Sequence, residues 1–208
     1  MLRKSFGLLG GLALLLIAGC ASSNSPTANT SPASSSAASP SAPARTGIKT
    51  TTDPCQLVTA AEASSLSGAS FSAGTEQANS GGSNTCVYTD SQTGTLFEVT
   101  VAIASDAGTA QAEWAQEETQ AQNQLVARAF ASGFHVTINV SDFSLTGADR
   151  AAVGTGTGSF NGVTIAGIAV YALKGPIFFT FSDLRLNSPA AGATAMQGQA
   201  ATVLTRLP

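Results

Sequence analysis

Among 208 residues the chain has one histidine, three cysteines and one tryptophan, and only a tenth of its residues are charged. The lone histidine, His135, restricts catalysis. A serine–histidine–acid set needs its serine on a sharp elbow, and no G-x-S-x-G occurs to supply one. A histidine-built metal centre is excluded by the same count. No apolar run reaches the ~20 residues that a membrane-spanning helix needs. The longest runs from Phe6 to about Gly19, 14 residues. Basic residues are sparse and unclustered, which argues against nucleic acid or an anionic lipid surface as a charge-driven partner.

What is present begins with MLRKSFGLLGGLALLLIAGC, where Arg3 and Lys4 precede the short apolar run. A basic start, an apolar middle and small residues at its end are the parts of a secretory signal peptide. Ile17-Ala18-Gly19-Cys20 resembles the lipobox of bacterial lipoproteins, which implies cleavage before Cys20 and diacylglyceryl on its thiol. Each buried CH₂ contributes about 0.8 kcal/mol, so two or more acyl chains anchor stably without a spanning helix. The competing reading is an ordinary signal peptide or an anchor helix with Cys20 incidental.

The expected organisation is therefore a signal peptide over 1–19, a lipidated Cys20 with a disordered linker over 20–47, and one domain over 48–208. Ala21 to Thr46 is almost entirely Ser, Ala, Pro, Thr and Asn, with too little apolar side chain to offset the entropy of folding. As a flexible coil it extends about 28 Å. Loss of Arg3 and Lys4 takes the formal charge from −3 to −5. Cys55 and Cys86 remain, and an even count in an exported domain favours a disulfide between them. A loop of that size contributes about 3.5 kcal/mol in the chain-entropy model.

Within the domain, "DPCQLVTAAEASSLSG" reads as a capped helix: Thr59 caps the start, Glu62 completes a capping box, and Gly68 ends it. Asn84 to Asp90 places Cys86 and Tyr88 on one strand face. "LFEVTVAIA" sets Phe97, Val99, Val101 and Ile103 on one side, and Asp90 to Thr95 forms the hairpin loop between. Ala110, Trp114, Ala121 and Leu125 mark a helix over about Thr109 to Ala127. Phe134, Val136, Ile138 and Val140 alternate again. "DRAAVGTGTG", "VTIAGIAVYAL" and "IFFTFSD" add three strands, with turns at Asn161-Gly162 and Lys174-Gly175-Pro176. Ser188-Pro189 opens a closing helix with Met196, Ala200, Val203, Leu204 and Leu207 on its apolar face. The fold class is α+β, a mainly antiparallel sheet packed by about three helices.

The run Asp53-Pro54-Cys55-Gln56-Leu57-Val58-Thr59, then Ala61-Glu62-Ala63 and Cys86-Val87-Tyr88, resembles uncharacterised actinobacterial lipoproteins with a DPC-x-L-x-T-x-x-E-A … C-x-Y pattern. Gly147 to Ala151, Lys174-Gly175 and the terminal "AATVLTRL" fit the same pattern. The domain is also similar in style to an extracytoplasmic kinase sensor domain, although that domain has a second disulfide for which this chain has no cysteines. The resemblance implies an envelope location and a helix-flanked antiparallel sheet, and it implies no activity.

Candidate chemistry is thin. His135 reads as a polar-face strand residue beside Thr137 and Asn139. Glu113, Glu117 and Glu118 share a helix and read as a solvated face rather than a metal site. Asp142 and Asp149 bracket "SDFSLTGAD", which lacks calcium-loop spacing. "GTGTGSFNG" matches neither phosphate-binding glycine pattern and lies between strands. Trp114, Tyr88, Phe178, Phe179 and Phe181 read as core, while "IFFTF", apolar on both faces, is either sandwiched between layers or lines an apolar groove. No cofactor or metal is expected. The leading expectation is a non-enzymatic binding or sensing module, tethered outside the cytoplasm, for a small apolar ligand or an envelope protein. The alternatives are an envelope scaffold and a hydrolase whose site is unrecognised.

Overall fold

The computed structural model describes residues 51–79, 82–115, 135–160 and 162–208. Two short helices, α1 (Pro54–Leu57) and α2 (Ala60–Ser67), lead into strands β1 (Thr75–Ala78), β2 (Ser83–Asp90) and β3 (Thr95–Ile103). Residues 107–115 are helical and form the described part of α3. Strands β4 (His135–Asp142), β5 (Arg150–Phe160), β6 (Val163–Lys174) and β7 (Ile177–Leu186) follow, and α4 (Ala193–Arg206) closes the chain.

The seven strands form one sheet in the order β1-β2-β3-β7-β6-β5-β4, antiparallel at every pairing. The chain builds β1 to β3 as a meander, leaves the sheet through α3, and re-enters at the opposite edge as β4. A second meander then brings β7 back beside β3. Two short-turn meanders thus meet at β3 and β7, the mainly antiparallel α+β arrangement that the sequence pattern implies.

Period-2 alternation divides the sheet into two faces. The face packed by α1, α2 and α4 holds the larger core. Val99, Val170, Phe179 and Phe181 are fully buried there, with Leu57, Met196 and Val203 descending from the helices. Each such side chain contributes about 1.5–3 kcal/mol relative to exposure. The opposite face carries a smaller cluster under α3, in which Ala110 and Trp114 cover Ala102, Ala152, Leu173 and Phe178. The "IFFTF" strand is therefore sandwiched: Ile177, Phe179 and Phe181 point to the first core, and Phe178 stacks under Trp114.

Local signals placed several elements. Thr59 accepts from the Glu62 N–H while Glu62 accepts from the Thr59 N–H, and Gly68 ends α2 at φ +67°. Gly162 and Gly175 turn the chain at φ +80° and +56°. Asn161, Phe134 and the expected helix beyond residue 115, with Glu117, Glu118, Ala121 and Leu125, lie outside the described residues.

Two expectations are corrected. The closing helix begins at Ala193, not at Pro189, with Gly192 at its cap and no side-chain cap bond. Asp183 accepts the Ala191 N–H at 2.8 Å and so holds the segment before α4 against the sheet in non-helical form. Ile103 ends β3 and is 56 % exposed, unlike Phe97, Val99 and Val101. The edge strand β1 has no counterpart in the sequence reading, because "TEQA" is exposed throughout.

Candidate functional site

The residues of the DPC…C-x-Y pattern converge in one cluster. Asp53 caps α1 by accepting the Cys55 N–H at 2.9 Å, and Pro54 occupies the first helical turn, where a missing N–H costs nothing. Cys55 is disulfide-bonded to Cys86 on β2, with the Cα atoms 5.1 Å apart. Two residues on, the Tyr88 hydroxyl donates to the Val58 carbonyl at 2.6 Å, tying β2 to the end of α1. Burial, with the charges of Asp53 and Glu62, pushes its phenol up to about 12. Leu57 and Ala63 are wholly buried beneath.

Arg206 locks this cluster to α4. Its guanidinium donates to the Leu57 carbonyl at 2.6 Å and to both Glu62 oxygens at 2.9 and 2.6 Å. Burial raises the Glu62 carboxyl, but Arg206 and Thr59 outweigh it and hold the group down at about 2. Asp53 and Thr59 thus cap α1 and α2, Glu62 joins α2 to α4 through Arg206, and the disulfide and Tyr88 hold α1 to β2. The cluster is a structural staple.

The α3 face is different in kind. Strand register sets its residues in rows across the sheet. One row runs Ile138, Gly156, Gly167, Leu184 and Leu96. The next runs Val140, Gly154, Ala169, Ser182, Glu98 and Val87. A third runs Asp142, Ala152, Tyr171, Thr180, Thr100 and Thr85. The alternating glycines of "GTGTG" therefore all fall on this face, and Gly156 pairs with Gly167 to leave a strip without side chains. Among the described residues, only α3 packs on this face, over the fourth row, which contains Leu173, Phe178 and Ala102.

Glu98 is the one carboxylate in the middle of this face. It sits opposite Ser182 on β7 and Val87 on β2. Its side chain makes no hydrogen bond or ion pair among the described residues. Burial pushes its carboxyl up to about 7, because charging it would place an uncompensated anion beside apolar groups. Its strand neighbour Thr100 shares a hydroxyl contact of 2.9 Å with Thr85, which also accepts from Asn79 at 2.9 Å. The face thus offers an acid raised toward neutrality, a patch of hydroxyls, and a glycine strip onto which Ile138 and Leu184 lean. That combination accommodates an apolar body carrying one hydrogen-bond donor or cation.

The other candidates are dispersed. Asp149 accepts the Gly175 N–H at 2.6 Å and clamps the β6–β7 turn, while Asp142 is exposed on β4, so the pair forms no oxygen-rich site. Glu113 lies on α3, and among the described residues no three His, Cys, Asp or Glu gather as metal ligands. His135 opens β4 opposite Ser159. Trp114 and Phe178 lie on one sheet face, and Tyr88, Phe179 and Phe181 on the other, so the aromatics line no common cavity. A hollow of about 400 Å³ lies between the end of α2 and the β2–β3 turn. Its carboxylate, Asp90, already accepts from Gln92 and Thr93 within the turn. Cys20 lies outside the described residues.

Fold and site together define a disulfide-stapled, all-antiparallel α+β domain with a glycine-floored face that carries the half-buried Glu98. Over residues 15–167 the chain matches a family described as proteins of unknown function, DUF3558, and it belongs to that family. No curated protein matches it.

Proposed function

We propose that the chain is a lipid-anchored lipoprotein on the extracytoplasmic side of the cell membrane, and that its domain binds a ligand without transforming it. The lipobox-like Ile17 to Cys20 and the disulfide, a bond characteristic of oxidising compartments, support export. No helix among the described residues is long and apolar enough to cross a membrane, which is compatible with acyl chains as the anchor. Binding is assigned to the α3 face, and the observation that carries it is Glu98, half-buried and without a partner among the described residues, on the same sheet face as the paired Gly156 and Gly167, from which Ser182 and Leu184 of β7 separate it. Leaving such a group unpaired disfavours its charged form, and a ligand that donates to it recovers that loss. A purely structural position would be filled by a hydrophobe of similar volume at lower cost.

The ligand class is a small amphiphile with an apolar body and one hydrogen-bond-donating or cationic group. Native mass spectrometry of the full chain, purified in mild detergent from the membranes of its own host, tests this. A bound non-protein mass is expected in addition to the acyl groups. A chain carrying acyl groups alone, in every preparation, would contradict binding. Cys20→Ala should move the chain from the membrane to the soluble fraction, and unchanged membrane retention would contradict the anchor independently.

A further inference from the structure

The strongest feature outside the staple and the Glu98 face is the free edge of β4. Eight residues long, it spans about 27 Å. Sheet edges are ordinarily blunted by short length, lysine, proline or a bulge. The other edge, β1, has only four residues. In contrast, β4 contains no lysine or proline, and its register with β5 runs unbroken from His135↔Ser159 to Asp142↔Ala152, with no bulge. No described element pairs with its outer side.

Its inner side is also incomplete. Cross-strand side-chain pairs are the unit of sheet stabilisation, yet positions 136, 138 and 140 lie opposite Gly158, Gly156 and Gly154. The apolar positions of β4 therefore have glycine as their directly opposite neighbour in every case, and Val140 is left 36 % exposed. A second strand on the outer edge is the one place from which they can gain directly opposed partners.

We propose that the strand completing this edge is β4 of a second copy, paired antiparallel about a two-fold axis at Ile138. The sequence Val136-Thr137-Ile138-Asn139-Val140 is symmetric in its apolar and polar pattern about that residue. Pairing centred there sets Ile138 opposite Ile138, Val140 opposite position 136, and Thr137 opposite Asn139. All three apolar positions then gain an apolar partner, the polar positions meet one another on the other face, and Asp142 lies beyond the last of these pairs. Moving the axis to Asn139 sets Asp142 against position 136, and moving it to Thr137 pairs Val140 with position 134, which precedes the strand as described, so that fewer pairs lie within β4 itself. A one-residue slip would turn the apolar positions to the wrong face. The interface is isologous. It covers less than the ~800 Å² per partner of a standard complex, which makes the dimer weak and concentration-dependent.

Cysteine cross-linking of the full chain in mild detergent tests the register. Directly opposed antiparallel residues have Cα atoms about 4.5–5.5 Å apart, within the ~4.4–6.8 Å range for a disulfide. Ile138→Cys should give a disulfide-linked dimer under mild oxidant. Val140→Cys should not, since its two copies lie about 13.6 Å apart along the strands. Thr137→Cys and Asn139→Cys should cross-link when mixed, which supplies a second reading if Ile138→Cys fails to fold. The unsubstituted chain, with Cys20 acylated and Cys55 bonded to Cys86, sets the background, and sedimentation should show it shifting from monomer to dimer as concentration rises. Equal cross-linking at positions 138 and 140 would overturn the proposal. So would a strictly monomeric chain with no cross-link at 138 and none from the mixed pair, or an adduct whose mass is that of a different protein.

Discussion

Arg206 in the last helix grips Glu62 in the second with two hydrogen bonds, at 2.6 and 2.9 Å, across 144 residues of sequence. The same guanidinium takes the Leu57 carbonyl at the end of α1, so one side chain closes the domain's first elements against its last. Both partners are only partly exposed, which separates this pair from surface ion pairs of negligible worth.

Arg206→Ala removes the donors from a partly buried carboxylate and carbonyl, and should cost about 1.5–3 kcal/mol. Arg206→Lys should recover only part of that, because an ammonium cannot present the planar fork. Glu62 is ordinarily protonated near 4.5 and is held at about 2 in the fold. Its contribution is therefore full above 4.5 and lost as pH falls toward 2. Chemical denaturation across that window should show a steeper acid loss in the unsubstituted chain than in Glu62→Gln.

Reduction of Cys55–Cys86 frees a loop with a sequence separation of 31 and should lower stability by about 3.5 kcal/mol. Thermal midpoints with and without reductant check this, and an unchanged midpoint would show that the bridge contributes nothing.

Gly74 and Gly198 should respond to alanine with opposite signs. A Cβ at Gly74 would come within 2.5 Å of Tyr88 Cε1, in a ring already pinned by its hydroxyl. Overpacking of this kind costs about 1–3 kcal/mol. Gly198 lies inside α4 with nothing within 4 Å of the added atom, so Gly198→Ala should stabilise by about 0.5–1 kcal/mol. Urea midpoints of the two variants decide it.

Glu98 should give the opposite pH signature to Glu62. Its carboxyl is raised from 4.5 to about 7. Between those values the unfolded chain has released a proton that the fold retains, so this group lowers stability as pH rises from 4.5 to 7. Glu98→Gln should flatten the stability profile in that interval, and an identical slope in both proteins would show that the acid titrates normally.

Much of this architecture was legible where its causes are local. The Thr59–Glu62 capping box spans four residues, and β2, β3 and β4 declare themselves by alternation. The start of α4 was not legible, because Asp183, eight residues upstream of Ala191, decides where the chain stays non-helical. Glu98 was not legible as a site residue either. Alternation assigns it to the side away from Phe97 and Val99, and only the folded sheet shows that it is half-buried there without a partner among the described residues. The glycines of "GTGTG" pointed to a strand rather than a phosphate loop. Their value as a bare floor depends on Gly167 of β6 lying beside Gly156.

The most direct test of ligand binding on the α3 face compares the full chain with Glu98→Gln and Gly156→Val by native mass spectrometry, each purified from the host membranes in the same detergent. Gly156→Val puts a branched side chain on the glycine strip without touching the acid. The expected result is a bound non-protein mass on the unsubstituted chain that is lost or much reduced in both variants, with all three proteins folded and retaining the Cys55–Cys86 bridge. The same mass bound equally to all three would contradict the assignment of this face as the binding site.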